Sequence, residues 1–549
     1  MSEDAYLSKP WLKNYDPDVP KTIDYPKIPI FETLTRSVRD FPDKPALFWG
    51  ERTITYRELG EYVDRFSRAL AEIGIEKGDR VALLMLNTPQ YVISLYGILK
   101  AGAVAAGINP LLSDRELEFI LNDSEAETII TLDLFHPRVE EVKGKTKLKN
   151  VIITGLGDFP QDGGPLPEPQ EKEGALQFLT LLMNHPPEPP AVEIDPEEDA
   201  AILQYTGGTT GLPKGVVLTH RNIVSNIHQI YTWFNPSFGT DTFCSAFPMF
   251  HVAGLIVNLV AVTIGGAQCL IWNPRDTNNI IELINRYKPK WIVNVPTLYM
   301  MLLSNPKFFE SEVVNAEQFL SAAAPMPVEV IKELQSKTKG VVVEIWGLTE
   351  ASPGVTIMPF KGLKKPGSVG LPLPDTVVKV VDVDTGEVLP VGQKGELAVK
   401  GPQVFYKGYW KKPEETAHAL RDGWLYTGDV GYMDEDGYFY IVDRTKDMIN
   451  VSGYKVFSRE VDEVLHEHPA VAIGATVGVP DPERPGSERV KVYIVLKEGY
   501  HESPELKEDI LNFLRENLAK YKVPKIIEFR KELPMSLTGK VLKRKLREQ

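Results

Sequence analysis

Between Gln204 and His220 the chain reads QYTGGTTGLPKGVVLTH, and these are residue types that can hold an anion. Gly207, Gly208 and Gly211 let backbone N–H groups approach a phosphate with no Cβ in the way. Thr206, Thr209 and Thr210 add hydroxyl donors, and Lys214 supplies a compact cation. The spacing is not that of a Walker A loop, because Pro213 precedes the lysine and Gly215 follows it where Ser or Thr is needed for magnesium. It does not match the dinucleotide-binding glycine pattern either. A flexible turn between two strands has the same composition, so the stretch alone leaves both readings open.

Other side chains could do chemistry, and each has a plain structural alternative. Glu350, after Thr349 in GLTE, is a hard oxygen donor or a helix-start residue. Asp429 in YTGDVG is a double acceptor or a turn aspartate beside Gly428. Arg444, next to Asp443, is an anion contact or an ordinary surface arginine. His251 sits in the apolar FPMFHVAGLIVNL, where a satisfied core histidine is the simpler reading. Lys540 lies in SLTGKVLKRKLRE, which by composition is a solvated basic tail.

The elements around these residues alternate. Amphipathic helical patterns at Leu59–Ile73 and Thr88–Ala101 are followed by β-branched runs at Arg80–Leu86 and Ala103–Gly107. The rhythm recurs as a helix around Ile280–Tyr287, a strand through Trp291–Val295 and Pro296 to stop it. Sheets covered by helices are expected. Prolines and acids between Gly155 and Asp199 suit a linker or a long surface loop. From Val378 short strands with turn residues form a small antiparallel β unit, and a strand–helix series runs from Tyr440 to Lys540. The expectation is an α/β protein: a large N-terminal domain, 1–442, of helix-covered sheets plus the small β unit, and a smaller α+β C-terminal domain, 443–549. No internal repeat is visible.

Bulk composition excludes several classes. The chain has 549 residues, 43% hydrophobic and 25% charged, which is a globular, multidomain profile. A net charge of -14 argues against nucleic acid as a partner. Cys244 and Cys269, each in an apolar run, read as small buried hydrophobes in a reducing compartment. The N-terminus lacks an apolar signal region, Ala253–Thr263 is too short for a membrane span, and the final Arg-Glu-Gln is no targeting address. A cytoplasmic protein is expected, with a dimer as the default assembly.

The order of motifs carries a family resemblance. YTGGTTGLPKGV is followed by FPMFHVAG, SAAAPMP, IWGLTEASPG, GWLYTGDVGYMDEDGYFYIVDRTKDMINVSGYKVFSREVDEVL and PMSLTGKVLKR. From about Thr33 to the end, the chain resembles the adenylate-forming enzymes, specifically acyl-CoA synthetases. The resemblance implies ATP, Mg2+ and coenzyme A as cofactor and co-substrates. A carboxylic acid is activated to an acyl-adenylate, and the acyl group passes to a thiol.

On that resemblance, Thr206–Lys214 surrounds the β and γ phosphates. Glu350 is the magnesium ligand, with Thr206 and Thr349 nearby. Ala323, Ala324 and Pro325 with Ile345, Trp346 and Gly347 sandwich the adenine, and Leu348 adjoins them. Trp346 stands where tyrosine is usual, so it brings a larger face without a hydroxyl. Asp429 binds both ribose hydroxyls, Arg444 is a second ribose or phosphate contact, and Tyr440 lies in the same nucleotide-binding stretch. Lys540 bridges the carboxylate and α-phosphate during adenylation. His251 borders the acyl pocket with Val252, Ala253, Gly254, Ala322 and Ala323. A hinge at Asp443 rotates the mobile C-terminal domain, with Gly453 passing the pantetheine chain and Lys455 meeting coenzyme A phosphates.

Medium- to long-chain fatty acids lead as substrate, and aryl acids of the 4-coumarate or benzoate kind follow. A free-standing enzyme that loads a carrier protein uses the same scaffold. A non-catalytic acyl or nucleotide sensor is the reading from another class, and intact Lys214, Glu350, Asp429, Arg444 and Lys540 speak against it.

Overall fold

A computed structural model describes residues 2–170, 172, 174–206, 213–324, 326–452, 454–535 and 541–547. Packing divides the chain into two compact units. The larger comprises Leu12–Thr376 and Lys400–Leu425, and the smaller Met1–Trp11, Val377–Val399 and Tyr426–Gln549. The β unit expected from Val378 therefore packs with C-terminal residues.

The larger unit contains two sheets. One has seven strands, in the order Leu176–Gln177, Asn150–Thr154, Thr128–Leu132, Arg80–Leu84, Val104–Gly107, Ala200–Thr206 and Lys214–Thr219. All its pairs are parallel except the last. The other has nine strands. Its parallel run is Val341–Gly347, Gln318–Ala322, Trp291–Asn294, Thr242–Ser245, Ala267–Leu270 and Pro45–Trp49. Strands buried on both faces read as near-continuous apolar runs; Trp291–Asn294 and Ala267–Leu270 are buried at every position, and their polar members Asn294 and Gln268 are hydrogen-bonded. Cys244 and Cys269 sit side by side in adjacent strands as free, buried thiols.

Local signals set the helices. Tyr56–Glu72 opens on a capping box of Thr55 and Glu58 and buries Leu59, Val63, Phe66 and Leu70 along one face. Each such side chain stabilises the core by about 1.5–3 kcal/mol. Pro89–Lys100 has Thr88 as its cap and a proline in its first turn, where no N–H is needed. Pro296 does more than stop the strand: it opens the helix Pro296–Leu303 for the same reason. The 155–199 excursion is a loop within the larger unit and not a linker. It supplies the edge strand Leu176–Gln177 and the helix Phe178–Asn184, whose Phe178, Leu179, Leu181 and Leu182 are buried.

In the smaller unit, Val377–Val381 and Gly395–Lys400 share a sheet with Trp424–Met433 and Phe439–Arg444. A second sheet of Val471–Pro480, Glu488–Leu496 and Ile526–Phe529 accompanies the helices Ser458–Glu467, Pro504–Asn517 and Lys543–Arg547. Val461, Leu465, Val492, Ile494, Ile510 and Leu514 form its core. Among the described residues, no helix is long and apolar enough to cross a membrane.

Candidate active site

In sheets with parallel strands, ligands bind beyond the carboxyl ends of the strands. There the loop 246–251 leaves the strand Thr242–Ser245. Asn294, ending Trp291–Asn294, accepts the Ala246 N–H at 2.9 Å. Asn87, just past Arg80–Leu84, donates to the Phe247 carbonyl at 2.9 Å and accepts the Met249 N–H at 2.8 Å. Tyr91 and Gln204 donate to the Met249 and Phe250 carbonyls at 2.7 and 2.8 Å. Both sheets of the larger unit thus grip one loop, and none of these backbone groups can shift without losing a buried partner.

That loop delivers His251. It is neither a core histidine nor a surface one, but the N-cap of the helix Val252–Thr263, its Nδ1 accepting the Ala253 N–H at 3.2 Å. An accepting Nδ1 leaves the neutral ring its proton on Nε2. Val252 is buried, Ala253 partly so. A Cβ on Gly254 would run into the carbonyl oxygens of Pro248 and Phe247, so this glycine lets the helix start close against the loop.

The segments assigned to adenine leave adjacent parallel strands, with Ala322 paired to Ile345. Ala323 has φ +71°, a left-handed conformation that costs an alanine roughly 1–2 kcal/mol. Such strain is kept where a loop must present a particular surface. Trp346 is 8% exposed, whereas Gly347 is open. Beyond Leu348, a single turn, Thr349–Ala351, presents Glu350, which is half-buried.

Thr206 and Lys214 are paired across the antiparallel strands that flank the glycine–threonine loop, and the Thr206 hydroxyl donates to the Lys214 carbonyl at 3.4 Å. The 405–410 segment joins this place to Glu350. Phe405 N–H donates to the Glu350 carbonyl at 2.8 Å and Trp410 N–H to the Gly215 carbonyl at 2.7 Å. Between them the Tyr409 hydroxyl donates to Glu350 Oε1 at 2.7 Å, while the Lys214 ammonium lies 5.4 Å from the centre of its ring. The sequence reading missed Tyr409. In YKGYW it is one aromatic among several, and only its pairing with the strand Lys214–Thr219 brings it to the carboxylate.

In the smaller unit Asp429 and Arg444 are register partners on antiparallel strands, and Arg444 Nε meets Asp429 Oδ1 at 2.6 Å. The Asp429 side chain is only 7% exposed and the arginine 45%, so the pair is anchored by the carboxylate. Tyr440 stacks on Tyr432 at 4.7 Å and donates to Asp434 Oδ2 at 3.3 Å. Lys455 pairs with Asp384 at 2.7 Å. Asp443 is buried and caps a helix: its carboxylate accepts N–H groups of Ser458 and Arg459 at the start of Ser458–Glu467. Burial pushes its pKa up, against the pull of Lys543, the Arg444 N–H and the Ser458 hydroxyl.

Gly207, Gly208, Thr209, Thr210, Gly211, Pro325, Gly453 and Lys540 lie outside the described residues. Among the described ones, no cluster of three or more His, Cys, Asp or Glu could cage a metal ion. What Glu350 offers is instead a single carboxylate beside the Tyr409 hydroxyl. That fits magnesium, which takes one or two carboxylates plus substrate phosphates and water.

Comparison with known proteins is consistent along the chain. The family model for the AMP-binding enzyme matches residues 34–410, and that for the AMP-binding enzyme C-terminal domain matches residues 460–540. The long-chain-fatty-acid–CoA ligase of Bacillus subtilis (strain 168) is 40% identical over 554 residues, covering 98% of each chain. Its namesake in Escherichia coli O157:H7 is 40% identical over 564 residues, covering 99% of this chain and 98% of that protein. The crystal structure of an anthranilate CoA ligase in complex with anthranoyl-AMP matches with a TM-score of 0.84 at 28% identity, covering 97% of this chain and 98% of that one.

Proposed function

Because the chain belongs to the AMP-binding enzyme family and is an acid–thiol ligase, we propose that its acid is a medium- to long-chain fatty acid. The carrying observation is the 40% identity, over nearly the full length of both chains, to proteins named long-chain-fatty-acid–CoA ligases. A carboxylate oxygen attacks the α-phosphorus of ATP, the bond to the β-phosphate breaks and pyrophosphate leaves. The sulfur of coenzyme A then attacks the acyl carbon, the bond to AMP breaks and the thiol proton is released.

The residue roles are those the family resemblance implies, and each suits the chemistry its step needs. Thr206, Gly207, Gly208, Thr209, Thr210, Gly211 and Lys214 hold the β and γ phosphates through N–H, hydroxyl and ammonium donors. Glu350 and Thr206 would hold Mg2+, which when bound neutralises phosphate charge and orients the triphosphate. Asp429 takes the ribose hydroxyls, and Arg444 orients that carboxylate through its 2.6 Å contact. Ala323–Pro325 and Ile345–Leu348 frame the adenine. His251, Val252, Ala253, Gly254, Ala322 and Ala323 form or support the acyl end. Lys540 stabilises the charge that gathers on carboxylate and α-phosphate. Turning residues 443–549 about Asp443 withdraws Lys540 and brings in Gly453 and Lys455 for coenzyme A. Cytoplasmic residence suits two free buried thiols, and a twofold dimer is the default assembly.

The test is pyrophosphate release by purified protein with ATP and magnesium, across acids from acetate to palmitate plus benzoate and 4-coumarate, with and without coenzyme A. Release and acyl-CoA formation rising with aliphatic chain length is the expected result. A preference for the aryl acids overturns the substrate assignment, and release with no acyl-CoA product points to carrier loading.

A further inference from the structure

Lys543 follows Lys540 by three residues, and nothing in the reaction above uses it. Its side chain is 16% exposed, and its ammonium donates to Asp462 Oδ2 at 2.7 Å and to Ser458 Oγ at 2.6 Å. Both partners matter for what else they hold. Ser458 donates its hydroxyl to Asp443 Oδ1 at 3.2 Å and its N–H to Asp443 Oδ2. Asp462 accepts the Thr476 N–H at 2.6 Å on the strand Val471–Pro480. A continuous path of hydrogen bonds therefore runs from Lys543 through Ser458 to Asp443, with Asp462 fixing it to the sheet.

The chain on either side of 536–540 is fastened to the same place. Met535 and Val541 pair, and Leu542 N–H donates to the Pro534 carbonyl at 2.7 Å. Beyond Lys543, Tyr493 donates to the Leu546 carbonyl at 2.9 Å, and Arg547 donates to the Lys446 carbonyl at 2.7 Å and pairs with Asp447 at 3.4 Å. Burial works against the Lys543 charge, but Asp462, Asp443 and Asp447 outweigh it and hold its pKa above the ordinary lysine range. Buried ion pairs are a poor source of stability, since apolar residues of equal volume often do as well. What they supply is a single geometry.

We propose that Lys543 is a positioning residue, whose ammonium ties the helix Lys543–Arg547 to the helix capped by Asp443, so that the chain following Lys540 and the hinge turn together. This deepens the function proposed above and rests on the roles given there to Lys540 and Asp443. The lysine that stabilises the adenylation transition state must be placed to within a fraction of an ångström after every turn of the domain, and a displacement of about 1 Å can cost about 100-fold in rate.

The test compares K543M, K543R and, as a control on the same helix, K545M at exposed Lys545. Acyl-adenylate formation and thioester formation from supplied acyl-adenylate are measured separately. K543M is expected to lower kcat of adenylation by about 10- to 100-fold, with KM for ATP and acid within about twofold of wild type. Its thioester step should be unchanged, K543R should recover most of the loss, and K545M should match wild type. Should K543M not fold, Asp462→Asn removes the partner and carries the same comparison. Adenylation at the wild-type rate, or equal loss of both steps, overturns the inference while leaving the synthetase assignment intact. A wild-type protein that forms no acyl-adenylate overturns both.

Discussion

Tyr409 gives its hydroxyl to Glu350 Oε1 at 2.7 Å and its ring face to Lys214 at 5.4 Å, so one side chain sets the orientation of a carboxylate and a cation. Partners that orient a metal-binding carboxylate typically contribute about 10- to 100-fold to metal affinity or activity. Tyr409→Phe keeps the ring and removes only the hydroxyl. It is expected to lower pyrophosphate release by about tenfold and to raise the magnesium concentration needed for half-maximal rate. Its melting temperature should stay near wild type, and an unchanged magnesium titration would show that the contact does not act through the metal. At this scale the sequence was informative wherever a residue lies in a recognisable motif. Glu350, Asp429 and Lys214 were singled out by the motif order that carries the family resemblance, since each alone had a plain structural reading, whereas a phenol among aromatics was not. His251 was open between two readings, and its capping role follows only from where the helix Val252–Thr263 begins.

Helix starts and strand ends do the positioning. His220 opens the helix His220–Phe234, is buried, and accepts the Ile30 N–H on Nδ1 at 3.0 Å. Burial pushes its pKa down to about 4 from 6.5, the Asp199 carboxylate resisting. A folded-state pKa below the unfolded one means that its stabilisation is complete above pH 6.5. It fades as the pH falls toward 4, because the unfolded chain takes up the proton first. The loss over that window is about 3 kcal/mol. Urea midpoints measured from pH 7.5 to 4 should fall in wild type and fall less in His220→Asn, whose amide oxygen can replace Nδ1 as acceptor. Parallel slopes in the two proteins would remove His220 as the cause. The caps Thr55 with Glu58, and Thr88 before Pro89, have partners within a few residues, yet the helical pattern alone started the first helix at Leu59, inside its true first turn. The grip of Asn87, Tyr91, Gln204 and Asn294 on the 246–251 loop was not legible, since each partner comes from a different strand or helix.

Across the whole molecule, a two-step reaction on one set of ligands requires two arrangements, and Lys540 is the clearest probe of that. Lys540→Ala should reduce adenylate formation by at least about 100-fold, while thioester formation from supplied acyl-adenylate stays within about threefold of wild type. Equal loss in both steps would sink the rotation about Asp443. The sequence by itself determined the family, the reaction class and the order of the motifs. The chemistry of phosphate, ribose and carboxylate restricts residue types within short contiguous stretches, and short stretches are what a sequence displays. The tertiary structure alone decided that Tyr409 reaches Glu350 across 59 positions, that Val377–Val399 packs with the C-terminal residues, and that Lys543 joins Ser458 across 85. Contacts at such separations are stable only when the whole unit closes cooperatively, because each must offset the entropy of joining distant chain, and no local periodicity records them.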